Sequence, residues 1–209
     1  TTLAELARET DSSDASIIRF CRKMGYTGFS EMKQAFVNAL KDSSIMTVEA
    51  IKKEDSVLDN LQKVYKSNMQ TLTDTILLAD GEVYEEAART LLSAKSIHFF
   101  GAGDSAAVCQ LFYFKFRRLG IPGSAQTDPI MQIIEASNLG QGDVAVVISY
   151  EGKSRTVLNA MRVAKEKGAT IICITKMSKS PLLRLSDINI FIATSDVTTG
   201  RDIVARRVA

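Results

Sequence analysis

The chain has 209 residues, 45% of them hydrophobic and 24% charged, a composition that suits one sizeable domain with a smaller one and excludes whole-chain disorder, collagen and coiled coil. Its 26 basic and 24 acidic residues leave a net charge of +2, so no overall basic field indicates a nucleic-acid or membrane partner, and any such partner must bind a local patch. The three cysteines, Cys21, Cys109 and Cys173, form no CxxC pair, which predicts reduced thiols and neither a disulfide framework nor a metal site.

The chain carries no recognisable targeting segment. No apolar run reaches the roughly 18 residues that span a membrane, and the N-terminus lacks the basic-then-apolar layout of a signal peptide. We therefore expect a cytoplasmic protein with no membrane partner. Because the chain begins at Thr1 and residues 202–209 have the pattern of an interrupted helix, we also expect a fragment that is trimmed at both ends.

Two short helices are predicted at the N-terminus, separated by a turn at residues 9–13 that offers Ser or Asp as an N-cap. The first helix has an apolar face formed by Leu3, Leu6 and Ala7, and the second has one formed by Ile17, Phe20, Cys21 and Met24. On the opposite side of the second helix lie Ser16, Arg19 and Lys23, flanked by Arg22. Such an outer face suits docking in the DNA major groove. A solvated face on an ordinary helical hairpin is the alternative.

A linker follows the N-terminal helices. Small polar and charged residues with weak periodicity precede residue 56, and we place the N-terminal domain at residues 1–42, the linker at 43–55 and the C-terminal domain at 56–209. From Val57 to Ile76, apolar residues recur at spacings of three, four and seven, which predicts one long amphipathic helix that ends at Asp80-Gly81. A second helix is predicted over residues 82–93.

Short apolar runs alternate with helical segments from residue 96 onward. Four runs predict strands buried on both faces, at residues 96–100, 143–148, 170–175 and 188–193, and a weaker run at 123–127 adds a fifth. Helices are predicted between them at 106–119, 129–138, 156–167 and 181–185. This alternation predicts an α/β fold with a doubly wound, five-stranded parallel sheet, for which we adopt the flavodoxin-like strand order 2-1-3-4-5.

Two loops rich in glycine and serine follow the first and third strands. The first loop is Gly101-Ala-Gly-Asp-Ser-Ala106, the second loop is Ser149-Tyr-Glu-Gly-Lys-Ser154, and each opens a helix. In the expected strand order both loops line one crevice at the switch point of the sheet. Glycines let backbone N–H groups approach an anion, while helix N-termini and Ser hydroxyls supply further donors. The two loops therefore predict a site for a phosphorylated small molecule.

The first loop alone also permits a dinucleotide site. It fits the GxGxxG/A pattern, and Asp128 follows Ala106 by 22 residues, where such sites have an acidic residue. We favour the phosphorylated small molecule because the dinucleotide pattern does not require the second loop. A third interpretation is that both loops are only tight turns between a strand and a helix.

Other candidate residues are interpreted as structural. His98 lies in the first strand without an Asp, Cys or second His at ligand spacing, which predicts a hydrogen-bonded core histidine. Cys109 and Cys173 fall on apolar faces and predict small buried hydrophobes. An aromatic cluster, which we expect to pack in the core or at a subunit interface, comprises Phe112, Tyr113, Phe114 and Phe116. No catalytic residue is predicted.

The C-terminal region resembles a known family. Its motifs are Gly101-x-Gly103-x-Ser105, Lys115-Phe-Arg117, Asp128-x-x-x-Gln132, Gly142-Asp143, Ser149-x-x-Gly152-x-Ser154 and Ser180-Pro-Leu. Over residues 96–193 this pattern is similar to the sugar isomerase (SIS) domain. The resemblance implies a phosphosugar ligand to which Ser105, Ser149 and Ser154 form hydrogen bonds. The candidate ligand-binding residues are Gly101, Gly103, Asp104, Ser105, Ser149, Tyr150, Glu151, Gly152 and Ser154.

Glu151 departs from the SIS pattern, which usually has Ser at this position. Because a carboxylate repels a phosphate, the departure leaves several outcomes open. Glu151 binds an amino or hydroxyl group of a different ligand, is neutralised by Lys153 or Arg155, or marks a site that has lost its phosphate. A solvated carboxylate that points away from the site is the remaining interpretation.

The N-terminal region resembles a DNA-binding domain. Leu6-Ala7, followed by residues 13–33 with Ser13, Ser16, Arg19-Phe-Cys-Arg22-Lys23-Met-Gly-Tyr-x-Gly28-Phe29 and Met32-Lys33, is similar to the helix-turn-helix of RpiR-type bacterial transcriptional regulators. That family joins this domain to a C-terminal SIS domain, the order present here. The resemblance implies that Ser13, Ser16, Arg19 and Lys23 approach bases or phosphates of DNA, and that Arg22 and Lys33 contact its backbone. It also implies a further helix before Thr1 and the rest of a closing helix after Ala209.

The sequence therefore predicts a transcriptional regulator of carbohydrate-metabolism genes, a homo-oligomer whose binding to operator DNA is modulated by a phosphosugar and which needs no cofactor. We expect a dimer, and association of two dimers is left open. The alternative is an SIS-type aldose–ketose isomerase with Glu135 as its base. A dinucleotide-binding redox sensor is the third interpretation.

Overall fold

The chain divides into two units, Thr1–Thr47 and Val48–Ala209. The computed structural model describes residues 2–33 of the first and 51–193 of the second. Most of the predicted linker, at residues 43–50, and the predicted interrupted helix at residues 202–209 lie outside the described residues.

Three helices make up the described part of the N-terminal unit. They are α1 (Leu3–Glu9), α2 (Asp14–Lys23) and α3, which begins at residue 29 and is described to residue 33. The hydroxyl of Thr2 caps α1, and the Glu5 carboxylate in turn accepts a hydrogen bond from the Thr2 N–H at 2.8 Å. This bond holds the pKa of Glu5 below its usual range. Ser13 caps α2.

The core of the N-terminal unit contains Ala7, Ile17, Cys21 and Met32. Ile17 and Cys21 face inward, as predicted. Phe20 and Met24, which were predicted to share this apolar face, are instead 54% and 59% exposed. Phe20 is rotated by about 60° from Ile17 around the helix axis, and Met24 is the C-cap at which α2 ends. The buried face of α2 is therefore narrower than its hydrophobic pattern.

The C-terminal unit consists of a parallel sheet and the helices around it. The helices are α4 (Val57–Leu78), α5 (Gly81–Ser93), α6 (Asp104–Arg118), α7 (Pro129–Asn138) and α8 (Arg155–Glu166), with one 3₁₀ turn at Leu182–Arg184. The strands are β1 (Ser96–Phe100), β2 (Gly123–Ala125), β3 (Asp143–Ile148), β4 (Thr170–Lys176) and β5 (Ile188–Ile192). They pair in the order β2-β1-β3-β4-β5, all parallel. The predicted α/β fold and flavodoxin-like order are confirmed.

β1 and β3 are neighbours at the switch point of the sheet. Phe100 at the end of β1 lies opposite Val147 of β3, so the first and second loops leave adjacent strands at nearly the same level. The helices that follow them pack on opposite faces, α6 in one hydrophobic core and α8 in the other. A crevice between the two loops is the geometric result.

Most of the predicted aromatic cluster packs against one of these two cores, and Cys109 and Cys173 lie in them. Phe112 stacks on Phe99 at a centroid separation of 6.2 Å, and Phe116 meets the same ring edge-on at 5.4 Å. Phe114 is the exception, because it lies on the outer side of α6 and is 63% exposed. Cys109 and Cys173 are fully buried, and burial raises the pKa of each thiol to about 12. Both are protonated at neutral pH and pack as small hydrophobes.

Helix α4 turns its polar side toward the sheet. Ser67 and Thr75 are buried, and the Thr75 hydroxyl accepts a hydrogen bond from the N–H of Ala193 just beyond β5, at 3.1 Å. Most of the apolar residues that predicted this helix lie on its other side and are exposed, whereas Val64 is partly buried. This apolar stripe of α4 comprises Leu58, Leu61, Tyr65, Met69, Leu72 and Ile76. In the single chain, α4 is therefore an amphipathic helix with its apolar side in solvent.

Candidate functional site

A crevice opens at the carboxyl ends of β1 and β3. Its cavity of about 570 Å³ falls within the range of small-molecule sites. The lining residues are Ala102, Gly103, Asp104, Ser105, Ile148, Ser149, Tyr150, Glu151, Lys153 and Ser154. Seven of the nine predicted ligand-binding residues thus lie around one cavity. The other two, Gly101 and Gly152, are buried and do not line it.

Helices α6 and α8 both begin at this crevice without a side-chain cap. Gly103 precedes α6, while Ser154 precedes α8 and pairs its hydroxyl with that of Thr156 at 3.0 Å. In contrast, a hydroxyl or carboxylate closes the start of each of α1, α2, α4, α5 and α7. Free N–H groups in a first turn, together with the helix dipole, attract anions. The two open helix starts therefore make this cavity suited to a phosphate.

Gly101 and Gly152 let the loops pass close to their neighbours. A Cβ at Gly101 would lie 2.9 Å from the Sγ of Cys109 and from the carbonyl group of Ser105. Gly152 has a φ of 61°, and a Cβ there would lie 2.4 Å from the Oγ of Ser180. Only glycine fits either place without a shift of the backbone. These two glycines therefore determine the path of the two loops, although they do not line the cavity themselves.

Glu151 lies beside a lysine that the sequence motifs did not assign. The Nζ of Lys176, at the end of β4, is 3.9 Å from the Glu151 carboxylate and 4.7 Å from the centroid of the Tyr150 ring. Neutralisation of Glu151 by Lys153 or Arg155 was one of the outcomes left open by the sequence. Lys176 comes from the adjacent strand, whose carboxyl end shares the same edge of the sheet. Its ammonium group offsets the negative charge that Glu151 brings to the second loop.

The two residues required by the alternative interpretations are engaged elsewhere. The carboxylate of Glu135, the candidate isomerase base, is 2.7 Å from Nδ1 of His98 in the middle of β1, and Glu135 does not line the crevice. Asp128, the acidic residue of the dinucleotide pattern, caps α7 by accepting hydrogen bonds from the N–H groups of Ile130 and Met131 at 2.9 Å each. His98 is hydrogen-bonded, as predicted, but its pairing with Glu135 was not predicted.

The outer face of α2 carries a local polar and basic surface. The hydroxyls of Ser13 and Ser16 lie 2.9 Å apart, and Arg19 donates from Nη2 to the Ser16 Oγ at 3.3 Å. Ile17 and Cys21 occupy the buried side of the same helix. The other predicted DNA-binding residues are exposed, namely Arg22 and Lys23 on α2 and Lys33 on α3. The near-zero net charge of the chain thus conceals a basic patch at its N-terminus.

The described residues contain neither a membrane-spanning helix nor a cluster of metal-binding side chains. Across residues 2–33 and 51–193, no helix combines the length and apolarity needed to cross a membrane. In the same part of the chain, no three His, Cys, Asp or Glu side chains are grouped as metal ligands. All three cysteines are buried free thiols.

Both units match known family models. Residues 1–43 match the helix-turn-helix domain of the rpiR family, and residues 90–205 match the SIS domain. An uncharacterised HTH-type transcriptional regulator of Caldanaerobacter subterraneus is 38% identical over 205 residues, which cover 98% of this chain and 73% of that protein. HexR, an HTH-type transcriptional regulator of Pseudomonas aeruginosa, is 34% identical over 184 residues, 88% of this chain and 64% of HexR. The structure of Vibrio vulnificus NanR complexed with ManNAc-6P is similar with a TM-score of 0.64 and 26% identity, over 92% of this chain and 68% of NanR.

Proposed function

Because this chain belongs to the RpiR family of helix-turn-helix transcriptional regulators, we propose that it binds operator DNA through α2 and a phosphorylated sugar in the crevice between the first and second loops. The observation that carries the proposal is the meeting of two uncapped helix starts, those of α6 and α8, at one cavity. In each of the other described α-helices with a defined N-cap, a capping side chain accepts a hydrogen bond from a backbone N–H at the start of the helix.

The phosphate binds between the first turns of α6 and α8. There, the backbone N–H groups and the hydroxyls of Ser105, Ser149 and Ser154 supply its hydrogen bonds. The sugar occupies the rest of the cavity, where Asp104 and Glu151 accept hydrogen bonds from its hydroxyl or amino groups. The presence of ManNAc-6P in the similar NanR structure supports a ligand of this class.

The DNA-binding role rests on the exposed face of α2. Ser13, Ser16, Arg19 and Lys23 enter the major groove, while Arg22 and Lys33 contact phosphates. We assign the helix-turn-helix domain to residues 1–42, the linker to 43–55 and the SIS domain to 56–209. A protein that regulates bacterial operons acts in the cytoplasm, where the DNA lies.

We further propose a homodimer that buries the apolar stripe of α4. Six apolar residues along one side of a helix form a larger exposed patch than scattered surface hydrophobes do. Burial against the same stripe of a second chain gives a self-complementary two-fold interface. Such a dimer pairs two helix-turn-helix domains with the two halves of a symmetric operator. The sugar phosphate regulates DNA binding by favouring one arrangement of these two domains over another.

The proposed function is tested by DNA binding of the full-length protein. We expect specific binding upstream of its own operon, with two chains per operator in analytical ultracentrifugation. One member of a panel of hexose and hexosamine 6-phosphates should change the affinity by about 5- to 150-fold. Competitor DNA of unrelated sequence serves as the control at fixed salt. Absence of specific binding, or an affinity that no phosphosugar alters, would refute the proposal.

The pair formed by Glu151 and Lys176 gives a second expected result. Lys176→Met should weaken binding of the same phosphosugar by up to about fivefold, because an exposed ion pair contributes at most about 1 kcal/mol. In a Glu151→Gln background the Lys176→Met change should have no effect, since Gln carries no charge to offset. Calorimetric titration of the four proteins measures both values. An equal loss in the two backgrounds would show instead that Lys176 contacts the ligand directly.

A further inference from the structure

Helix α7 holds Gly101, the first residue of the first loop, by a hydrogen bond. Gln132 on this helix is only 2% exposed. Its Nε2 donates hydrogen bonds to the carbonyl oxygens of Gly101, at 2.7 Å, and Gln126, at 2.9 Å. Gly101 begins the first loop, so a movement of α7 away from the sheet would release the loop at its start.

Three residues further along α7, Glu135 contacts the single histidine of the sequence. Nδ1 of His98 lies 2.7 Å from the Glu135 carboxylate and 3.0 Å from the Ser124 hydroxyl. On the other side of the ring, Nε2 lies 2.7 Å from the Ser96 hydroxyl, which donates to the Asp143 carboxylate at 2.7 Å. The side chains of His98 and Glu135 are 13% and 22% exposed. A largely buried polar chain thus links α7 to β1, β2 and β3.

The hydrogen bonds among these polar side chains favour a positively charged His98. A carboxylate only accepts hydrogen bonds, so the single proton of Ser96 goes to Asp143 and Nε2 must donate to Ser96. Nδ1 must also donate, because it faces the carboxylate of Glu135. Only an imidazolium ring has both protons. The charged groups that face it are Glu135 from α7 and Asp143 from β3, the latter through Ser96; β2 contributes the uncharged Ser124.

We propose that His98 and Glu135 are positioning residues for the first loop, and that protonation of His98 strengthens phosphate binding in the crevice. The protonated ring holds Glu135, and with it α7, against β1. Gln132 then keeps Gly101 in place. Loss of the proton removes a donor from one of the two contacts and loosens this hold.

This inference rests on the proposed function, but its first test needs no ligand. In the unliganded full-length protein, the NMR signals of the His98 ring and of the Gly101 and Gly103 amides are followed between about pH 5 and 8. We expect both amides to shift with the same midpoint as the ring. In Gln132→Ala the ring should still titrate while the amides no longer follow it. If the Gly101 and Gly103 amide shifts do not follow the His98 ring in the unmodified protein, the inference is overturned.

The second test measures affinity, with inorganic phosphate as the probe. From pH 8 to pH 6 the gain in affinity should be about fivefold larger for the unmodified protein than for His98→Gln. Taking this ratio cancels the titration of phosphate itself. Glu135→Gln should show the same loss and replaces His98→Gln if that variant does not fold. Equal pH profiles in all three proteins would overturn the inference. Absence of phosphate binding at every pH, with amides that follow His98, would refute the phosphate site and leave the positioning of the loop intact.

Discussion

A Gly152→Ala variant is expected to lose about 2–6 kcal/mol of stability and at least tenfold in affinity for its phosphosugar. Two separate effects contribute. A side chain at φ 61° costs about 1–3 kcal/mol in backbone strain. The new Cβ would also lie 2.4 Å from the Oγ and 2.8 Å from the Cβ of Ser180, which is buried, and such overpacking costs about 1–3 kcal/mol. Urea unfolding and calorimetric titration measure the two losses.

Two further variants separate these effects. Gly120 has a φ of 79° and open space around its Cβ position, so Gly120→Ala should show the backbone strain alone. Ser180→Gly removes the two atoms nearest the new Cβ and leaves the Cβ of Leu182 at 3.2 Å, so in the Gly152→Ala background it should recover most of the part due to overpacking. A Gly152→Ala protein that is no less stable than Gly120→Ala would contradict the close packing of Gly152 on Ser180.

An Arg19→Ala variant is expected to bind operator DNA about 5- to 150-fold more weakly, which corresponds to about 1–3 kcal/mol. Arg19 is exposed at the centre of the polar face of α2, and Ser16 orients its guanidinium group. Because Arg19 is exposed, the change should leave the free energy of unfolding nearly unchanged. Fluorescence anisotropy over a series of salt concentrations measures the effect.

The salt series distinguishes two roles for Arg19. Loss of a phosphate contact weakens binding to all sequences and reduces the salt slope by about one, whereas loss of a base contact relaxes specificity at one position. Arg162→Ala is the matched control, because it removes another exposed arginine, from α8 in the other unit. Unchanged operator affinity in Arg19→Ala at fixed salt would exclude Arg19 from the interface.

The strand order could be predicted because the strands are buried on both faces. Residues 144–148 are all buried, and such strands produce continuous apolar runs that are separated by helical periodicity. The exposure of the apolar stripe of α4 could not be predicted, since periodicity gives the apolar side of a helix but not what covers it. The same limit explains Phe20 and Phe114, whose apolar character does not reveal that they lie outside the cores of their units.

At the crevice, the loop residues could be predicted and their distant partners could not. Ser105, Ser149 and Ser154 follow directly on strands or open helices, so their position is encoded locally. Lys176 reaches Glu151 only because β4 lies next to β3. The pairing of Glu135 with His98 depends on the packing of α7 across β1. The spacing of Gln132, Glu135 and Ala136 along one side of α7 was the available indication that Glu135 faces the sheet.

The exposed stripe of α4 also bears on how stable one chain is. If two chains bury this stripe against each other, association contributes to the free energy of unfolding, and the melting temperature rises with protein concentration. A regulator present at few copies per cell then has a different stability from the same protein at the concentrations used for crystallisation. Ligands and DNA that favour the dimer would protect each chain from unfolding in addition to controlling transcription.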